Sequence, residues 1–146
     1  MQLSTYSDYS IRVLMQAALR APARVTVDEV ADTFGISRHH LVKVVHNLGR
    51  SSYLATHRGV GGGFTLARPL EDIRLGDIVR LGEETETVID CMDGEKRCCR
   101  LLPACRLKGV LDEAAAAFFE VLDRYSLADL VKQPIKMRAV LGIGLS

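Results

Sequence analysis

Thr26-Val-Asp-Glu29-Val-Ala-Asp-Thr-Phe-Gly35-Ile-Ser-Arg-His-His40-Leu-Val-Lys-Val-Val-His-Asn-Leu48 is the stretch that decides the fold. Thr26 and Glu29 have the spacing of a capping box, in which a hydroxyl and a carboxylate each satisfy a free backbone N–H at a helix start. A short helix is predicted from about Val27 to Phe34, burying Val30, Ala31 and Phe34. Gly35 follows as a left-handed stop, and Ile36 is an apolar filler for the corner. Ser37 is read as the cap of a second helix running to about Arg50, with Leu41, Val44, Val45 and Leu48 on its buried face. Two helices joined by a tight glycine turn make a helix-turn-helix. The polar residues Ser37, Arg38, His39, His40 and Lys43 gather at the N-terminal end of the second helix, the end that enters the major groove in such motifs. Arg38 suits a guanine edge, His39 and His40 suit bases or phosphates, and Lys43 suits a phosphate.

Working outward, Tyr53 to Arg68 holds two short apolar runs around a glycine-rich tip and reads as a β-hairpin wing. Arg58 at its base and the tip glycines Gly59 and Gly62 are further DNA-binding candidates. A nucleotide-binding loop is disfavoured, because the motif lacks the terminal Gly-Lys-Ser/Thr and a following helix. Upstream, residues 5–20 read as a helix with Tyr6, Tyr9, Val13, Leu14 and Ala17 at helical spacing, and Asp8 is an acid in its first turn. Charge is uneven along the chain. Residues 1–68 carry eight Lys/Arg against four Asp/Glu, and no acid lies between Asp32 and Glu71. A basic face on a balanced chain (+1 net) points to a polyanion partner.

Downstream, residues 73–82 read as a short helix closed by Gly82, and Glu83 to Glu86 as an exposed acidic connector. From about Ala104 a helix of some twenty residues is predicted, with Leu107, Val110, Leu111, Ala114, Phe118, Val121, Leu122 and Tyr125 on one stripe. Such a stripe suits a subunit–subunit pair. Ser126 to Asp129 restarts a short helix, and nothing is read in the tail. The hydrophobic share of 48% and charged share of 25% fit a soluble protein. No run is long enough for a membrane span, no secretory leader is expected, and the cytoplasm is the expected location.

All four cysteines lie in Cys91-Met-Asp-Gly-Glu-Lys-Arg-Cys98-Cys99-Arg-Leu-Leu-Pro-Ala-Cys105. Structural zinc prefers cysteines two to four residues apart. Here only the adjacent Cys98 and Cys99 are close, and neighbouring side chains chelate one ion poorly. Wide thiol spacing in a glycine-containing loop fits an iron–sulfur cluster, a larger object than one ion. Cys105 follows Pro103 at the expected start of the long helix, whose positive end favours an anionic sulfur ligand.

In these features the chain resembles the winged-helix iron–sulfur repressors of the NsrR, IscR and RirA kind, nearest the nitric-oxide-sensitive NsrR branch. The resemblance runs through Met1-Gln-Leu, Ser37 to Leu48, Arg58-Gly-Val-Gly-Gly-Gly63, Pro103-Ala-Cys-Arg-Leu-Lys108 and Tyr125-Ser-Leu-Ala-Asp-Leu130. It implies a mainly α fold with a small β-hairpin wing, divided into a winged helix-turn-helix at 1–82, a cluster-binding loop at 83–106, and a dimerisation helix and tail at 107–146. It implies Cys91, Cys99 and Cys105 as cluster ligands and Asp8 of the partner subunit as the fourth, with Arg12 pairing with Asp8 or the cluster. A four-iron cluster is preferred over a two-iron one. Lys108 stands where the IscR arrangement has a histidine ligand, which argues against that arrangement. Two departures are present: the first cysteine interval is longer than the family's, and Cys98 is an extra thiol. Cys99 is favoured over Cys98 by its spacing to Cys105. The implied function is a non-enzymatic repressor that binds a double-stranded operator as a homodimer and responds to nitric oxide. The alternatives are an iron- or redox-responsive repressor of the RirA or IscR kind, and a cluster-free thiol redox sensor. A redox enzyme is disfavoured, since no nucleotide or flavin motif is present.

Overall fold

In the computed structural model of the chain, the structure describes residues 2–83, 88 and 99–144. The deciding stretch folds as α2 (Val27–Phe34) and α3 (Arg38–Arg50). The capping box forms: Thr26 Oγ1 accepts from Glu29 N at 3.2 Å, and Glu29 Oε2 accepts from Thr26 N at 2.7 Å. Gly35 ends α2 at φ 64°, a left-handed conformation that a side chain disfavours. Ile36 is buried in the corner, and Leu41, Val44, Val45 and Leu48 form the inner face of α3. Ser37 departs from expectation. It occupies the cap position, but its hydroxyl makes no capping bond. Its carbonyl instead accepts from His40 N and Leu41 N, leaving the hydroxyl at the surface.

Behind this pair lies α1 (Thr5–Arg20), which buries Val13, Leu14 and Ala17 against α2, α3 and the wing. The wing is β1 (Leu54–His57) and β2 (Gly63–Leu66), antiparallel, with Leu54 opposite Leu66 and His57 opposite Gly63. Two strands alone are marginal in water. Here Val25 adds a third rung: Val25 N donates to Phe64 O at 3.0 Å and Phe64 N to Val25 O at 2.8 Å. Phe64 is buried in the common core. A Cβ on Gly63 would lie 2.6 Å from Val25 O, and Gly63 sits at φ 139°, so this approach needs glycine. Arg58 is the first residue beyond β1, at the tip of the wing and not at its base. The turn takes in Gly59 to Gly62, with Gly63 already paired in β2, which shifts the expected position outward. Arg68 holds the base instead, donating to Ser52 O and Ser51 O at 2.8 and 2.9 Å and stacking on Tyr53.

After a 3-10 turn comes α4 (Leu75–Gly82). Its expected first residues are extended, because Ile73 O accepts from Leu127 N at 2.8 Å and Leu75 N donates to Tyr125 O at 3.0 Å. Beyond Cys99, a 3-10 turn at Leu102–Ala104 leads into α5 (Arg106–Asp123), then α6 (Leu127–Leu130) and α7 (Pro134–Leu141). On α5 only Phe119 is fully buried. It lies under the Arg80 guanidinium, which donates from both terminal nitrogens to Asp123 at 2.7 and 2.9 Å and so joins α4 to α5. The expected stripe therefore divides. Leu111, Phe118 and Leu122 are half-buried, whereas Leu107, Val110, Val121 and Tyr125 are exposed. The short helix α7 lies in a tail where no helix was expected, with Pro134 in its first turn and Gly142 just past its end. The architecture is mainly α with a two-stranded antiparallel wing. No helix among the described residues is long and apolar enough to cross a membrane.

Two glycine substitutions separate backbone strain from close approach. Gly35→Ala meets open space and costs about 1 kcal/mol through its positive φ alone. Gly63→Ala adds a backbone clash and costs about 2–3 kcal/mol. Urea unfolding of the two variants against the wild type gives that order.

Candidate nucleic-acid interface and cluster ligands

The first turn of α3 stands clear of the core. Ser37, Arg38, His39, His40 and Lys43 are all exposed, as a surface that meets a partner requires. Arg38 Nε donates to Asp28 Oδ1 at 2.7 Å, and both side chains are 67% exposed. His40 lies between His39 and Tyr9, with ring centroids 6.0 and 6.3 Å away. The wing presents Arg58 and Gly59 exposed and Gly62 half-buried at its tip. Gly62 N donates to Gly59 O at 2.9 Å, closing the tip, and Arg24 Nη1 braces it through Gly61 O at 2.8 Å. Val60 is fully exposed there, an apolar residue the sequence reading passed over. Arg68, in contrast, is occupied by backbone carbonyls at the end of α3 and serves the fold. The basic span thus divides into outward cations and one inward tie.

Among the expected cluster ligands, Cys91 lies outside the described residues, as does Cys98, the extra thiol. Cys99 and Cys105 carry free thiols, the first exposed and the second half-buried at the cap position of α5. Between them the chain is tied by Leu102 N donating to Cys99 O at 3.2 Å and Cys105 N to Leu102 O at 3.4 Å. Asp8, on α1, accepts from Arg12 Nε at 3.0 Å, one turn along the same helix. The Arg12 guanidinium also sits 5.6 Å from the centre of the Phe34 ring. Lys108, at the position three residues after Cys105, pairs with Asp112 at 2.5 Å. Among the described residues no three His, Cys, Asp or Glu side chains converge on one point. Cys99 and Cys105 nonetheless offer free sulfur, the donor type that an iron–sulfur cluster takes.

One residue reverses its expected setting. Glu83 is half-buried and holds the N-terminus of α1, rather than lying exposed in a connector. Its Oε1 accepts from Ser4 N at 2.9 Å and from Ser7 Oγ at 2.6 Å, while Ser4 Oγ donates to Gly82 O at 2.9 Å. Glu83, at the end of the first described run, is therefore tied to the start of α1, whose first turn carries Asp8. The partners are 76 and 79 residues away in sequence, so no local pattern could disclose them.

Comparison with known proteins adds a family to this geometry. The model of the Rrf2 family, described as an iron-dependent transcriptional regulator, matches residues 3–133. The HTH-type transcriptional regulator NsrR of Bacillus subtilis (strain 168) is 44% identical over 133 residues, covering 90% of this chain and 91% of that protein. The regulator of the same name from Shouchella clausii is 43% identical, covering 97% and 95%. Among solved structures, T. potens IscR superposes with a TM-score of 0.71 at 26% identity, over 90% of this chain and 87% of that one. CymR, the global cysteine regulator of B. subtilis, superposes at 0.72 with 22% identity over 90% and 97%, a likeness of fold.

The Glu83 anchor has a pH signature. Burial opposes ionisation of Glu83, but donation from Ser7 and Ser4 outweighs it and holds the carboxyl below its ordinary 4.5. A lowered folded-state value means that the anchor stabilises fully above about pH 4.5 and loses its contribution as pH falls through that lowered value. Urea unfolding at stepped pH should show the wild type losing stability on acidification that Glu83→Gln does not lose.

Proposed function

The chain belongs to the Rrf2 family and is a transcriptional regulator of that type, not an enzyme, and we propose that it is a homodimeric repressor whose iron–sulfur cluster senses nitric oxide. The observation that carries this reading is the placement of two free thiols ahead of a helix with an apolar outer face, Cys105 at its cap position and Cys99 one 3-10 turn earlier. In this reading 1–82 reads DNA, 83–106 bears the cluster and 107–146 pairs the subunits, and the protein acts in the cytoplasm. Cys91, Cys99 and Cys105 hold the cluster together with Asp8 of the partner subunit, Cys98 being the substitute for Cys99. A cluster bound there, four-iron rather than two-iron, would supply iron open to nitric oxide.

The chain's own residues do the rest. Leu107, Val110 and Val121, with Tyr125 just past the end of α5, face a second copy, since an exposed apolar face on a long helix needs a partner. That pairing sets two α3 helices a fixed distance apart, as two half-sites of an operator require. Ser37, Arg38, His39, His40 and Lys43 then meet one major groove, while Arg58, Gly59 and Gly62 bring the wing to the neighbouring backbone. Asp8 ties one subunit to the other, so its release alters the spacing of the α3 pair. Similarity to NsrR at 44% identity supports nitric oxide as the signal. The family's description as iron-dependent supports an iron signal as the second reading.

An anaerobic nitric-oxide titration of fresh protein, following visible absorbance and DNA binding together, decides between them. Bleaching in step with DNA release is the expected result, and Asp8→Ala should uncouple the two. A cluster that reacts while DNA binding persists would favour the iron- or redox-responsive alternative. Absence of iron in the anaerobic protein would favour a thiol sensor. Independently, Val110→Asp should leave the helical circular dichroism unchanged, yield a monomer in sedimentation and weaken DNA binding by tenfold or more, roughly the loss of one half-site's contacts.

A further inference from the structure

We propose that Asp28 is a positioning residue that aims Arg38 at a guanine, so that the half-site carries a guanine opposite the first turn of α3. The inference rests on the DNA-binding reading above and names what that surface reads. Arg38 is the first residue of α3, and Asp28 lies in the first turn of α2, where the helix's positive end favours a carboxylate. The two meet across the glycine turn through one contact, Arg38 Nε to Asp28 Oδ1 at 2.7 Å.

That single contact is made through the inner nitrogen. Among the described residues, Nη1 and Nη2 of Arg38 have no partner. These two nitrogens donate in parallel, and guanine presents two acceptors, O6 and N7, on its major-groove edge. Adenine presents one acceptor and one donor there and cannot satisfy the fork. Arginine without a brace samples many rotamers and reaches phosphates as readily as bases. Asp28 removes that freedom before DNA arrives, and its charge disfavours an approach of the same region to phosphate. With both partners 67% exposed, the pair adds little to the stability of the fold, as expected of a surface ion pair. Its consequence lies in orientation.

The test uses the full chain, purified anaerobically, and a random-sequence duplex library. Duplexes enriched by the wild type are compared with single-base variants by fluorescence anisotropy at fixed salt. One guanine per half-site is expected, and its replacement by adenine should weaken binding about tenfold. Arg38→Ala should abolish that discrimination. Asp28→Ala should reduce it to about threefold or less while raising affinity for unselected duplex. Asp28→Asn loses the same charge but keeps an oxygen acceptor, so it should retain most of the discrimination. In an Arg38→Ala background, Asp28→Ala should change it no further. Full discrimination in Asp28→Ala, or identical behaviour of Asp28→Ala and Asp28→Asn, would overturn the proposal and leave the DNA-binding reading intact. Unchanged base preference in Arg38→Ala would overturn it likewise. A wild type that enriches no sequence would overturn both.

Discussion

The backbone pair between Val25 and Phe64 is the joint on which the reading surface depends. It converts a two-stranded wing, marginal by itself, into an extension of the core. It also fixes the start of α2, because Val25 immediately precedes the capping residue Thr26. Wing, α2 and α3 therefore share one frame, and their relative positions follow from packing around Phe64, Leu41 and Leu48. Gly63 is what allows the joint, since any side chain there would strike Val25 O. A surface that reads DNA needs such rigidity, because contacts that are specific in geometry are lost when the elements carrying them shift.

A second frame joins α1 to the far end of the molecule. Glu83 binds the N-terminus of α1, and Arg80 binds Asp123 on α5. The first tie starts from Glu83, which caps α4, and the second from α4 itself, so α4 with its cap links the segment before the cysteines, the helix carrying Asp8 and the helix with the exposed apolar face. In the proposed repressor these three parts must communicate, and the eight-residue α4 with its cap residue is the described element bonded to α1 and α5. Glu83 holds by directed hydrogen bonds to a half-buried carboxylate, a stronger arrangement than a solvent-exposed ion pair.

Legibility in the sequence followed the range of the interactions. Thr26, Glu29 and Gly35 act within one turn of chain, and α2 and α3 were readable from them to the residue. The wing was readable from its glycines, although Arg58 lay at the tip because the turn takes in Gly59 to Gly62. Glu83 was misjudged because its partners are distant in sequence, and Asp28 passed unremarked because Arg38 reaches it across a turn. For α5, periodicity revealed an apolar stripe but not which part of it stays outside. Phe119, absent from that stripe, makes the buried contact, and the stacked Arg80 that covers it could not be inferred from spacing. Pro134 and Gly142 did mark the ends of α7, the usual asymmetry of proline at a helix start and glycine past its end.

Two exposed ion pairs sit at the points where partners are proposed, Arg38–Asp28 at the DNA face and Arg12–Asp8 at the subunit face. Their side chains are 67% and 67% exposed in the first and 41% and 45% in the second. Pairs of this kind are worth about 0–1 kcal/mol. That magnitude decides what they can do. Neither can lock its residue away from a partner, since a ligand bond or a bidentate base contact outweighs it. Each can, however, select among rotamers that differ by less than that amount. In the proposed repressor, Asp8 held by Arg12 stays on the surface of α1 and exchanges one cation for another positive centre at little cost. Arg38 held by Asp28 keeps its outer nitrogens free for two acceptors. Weak pairs are thus suited to surfaces that must be ordered before binding and still give way during it.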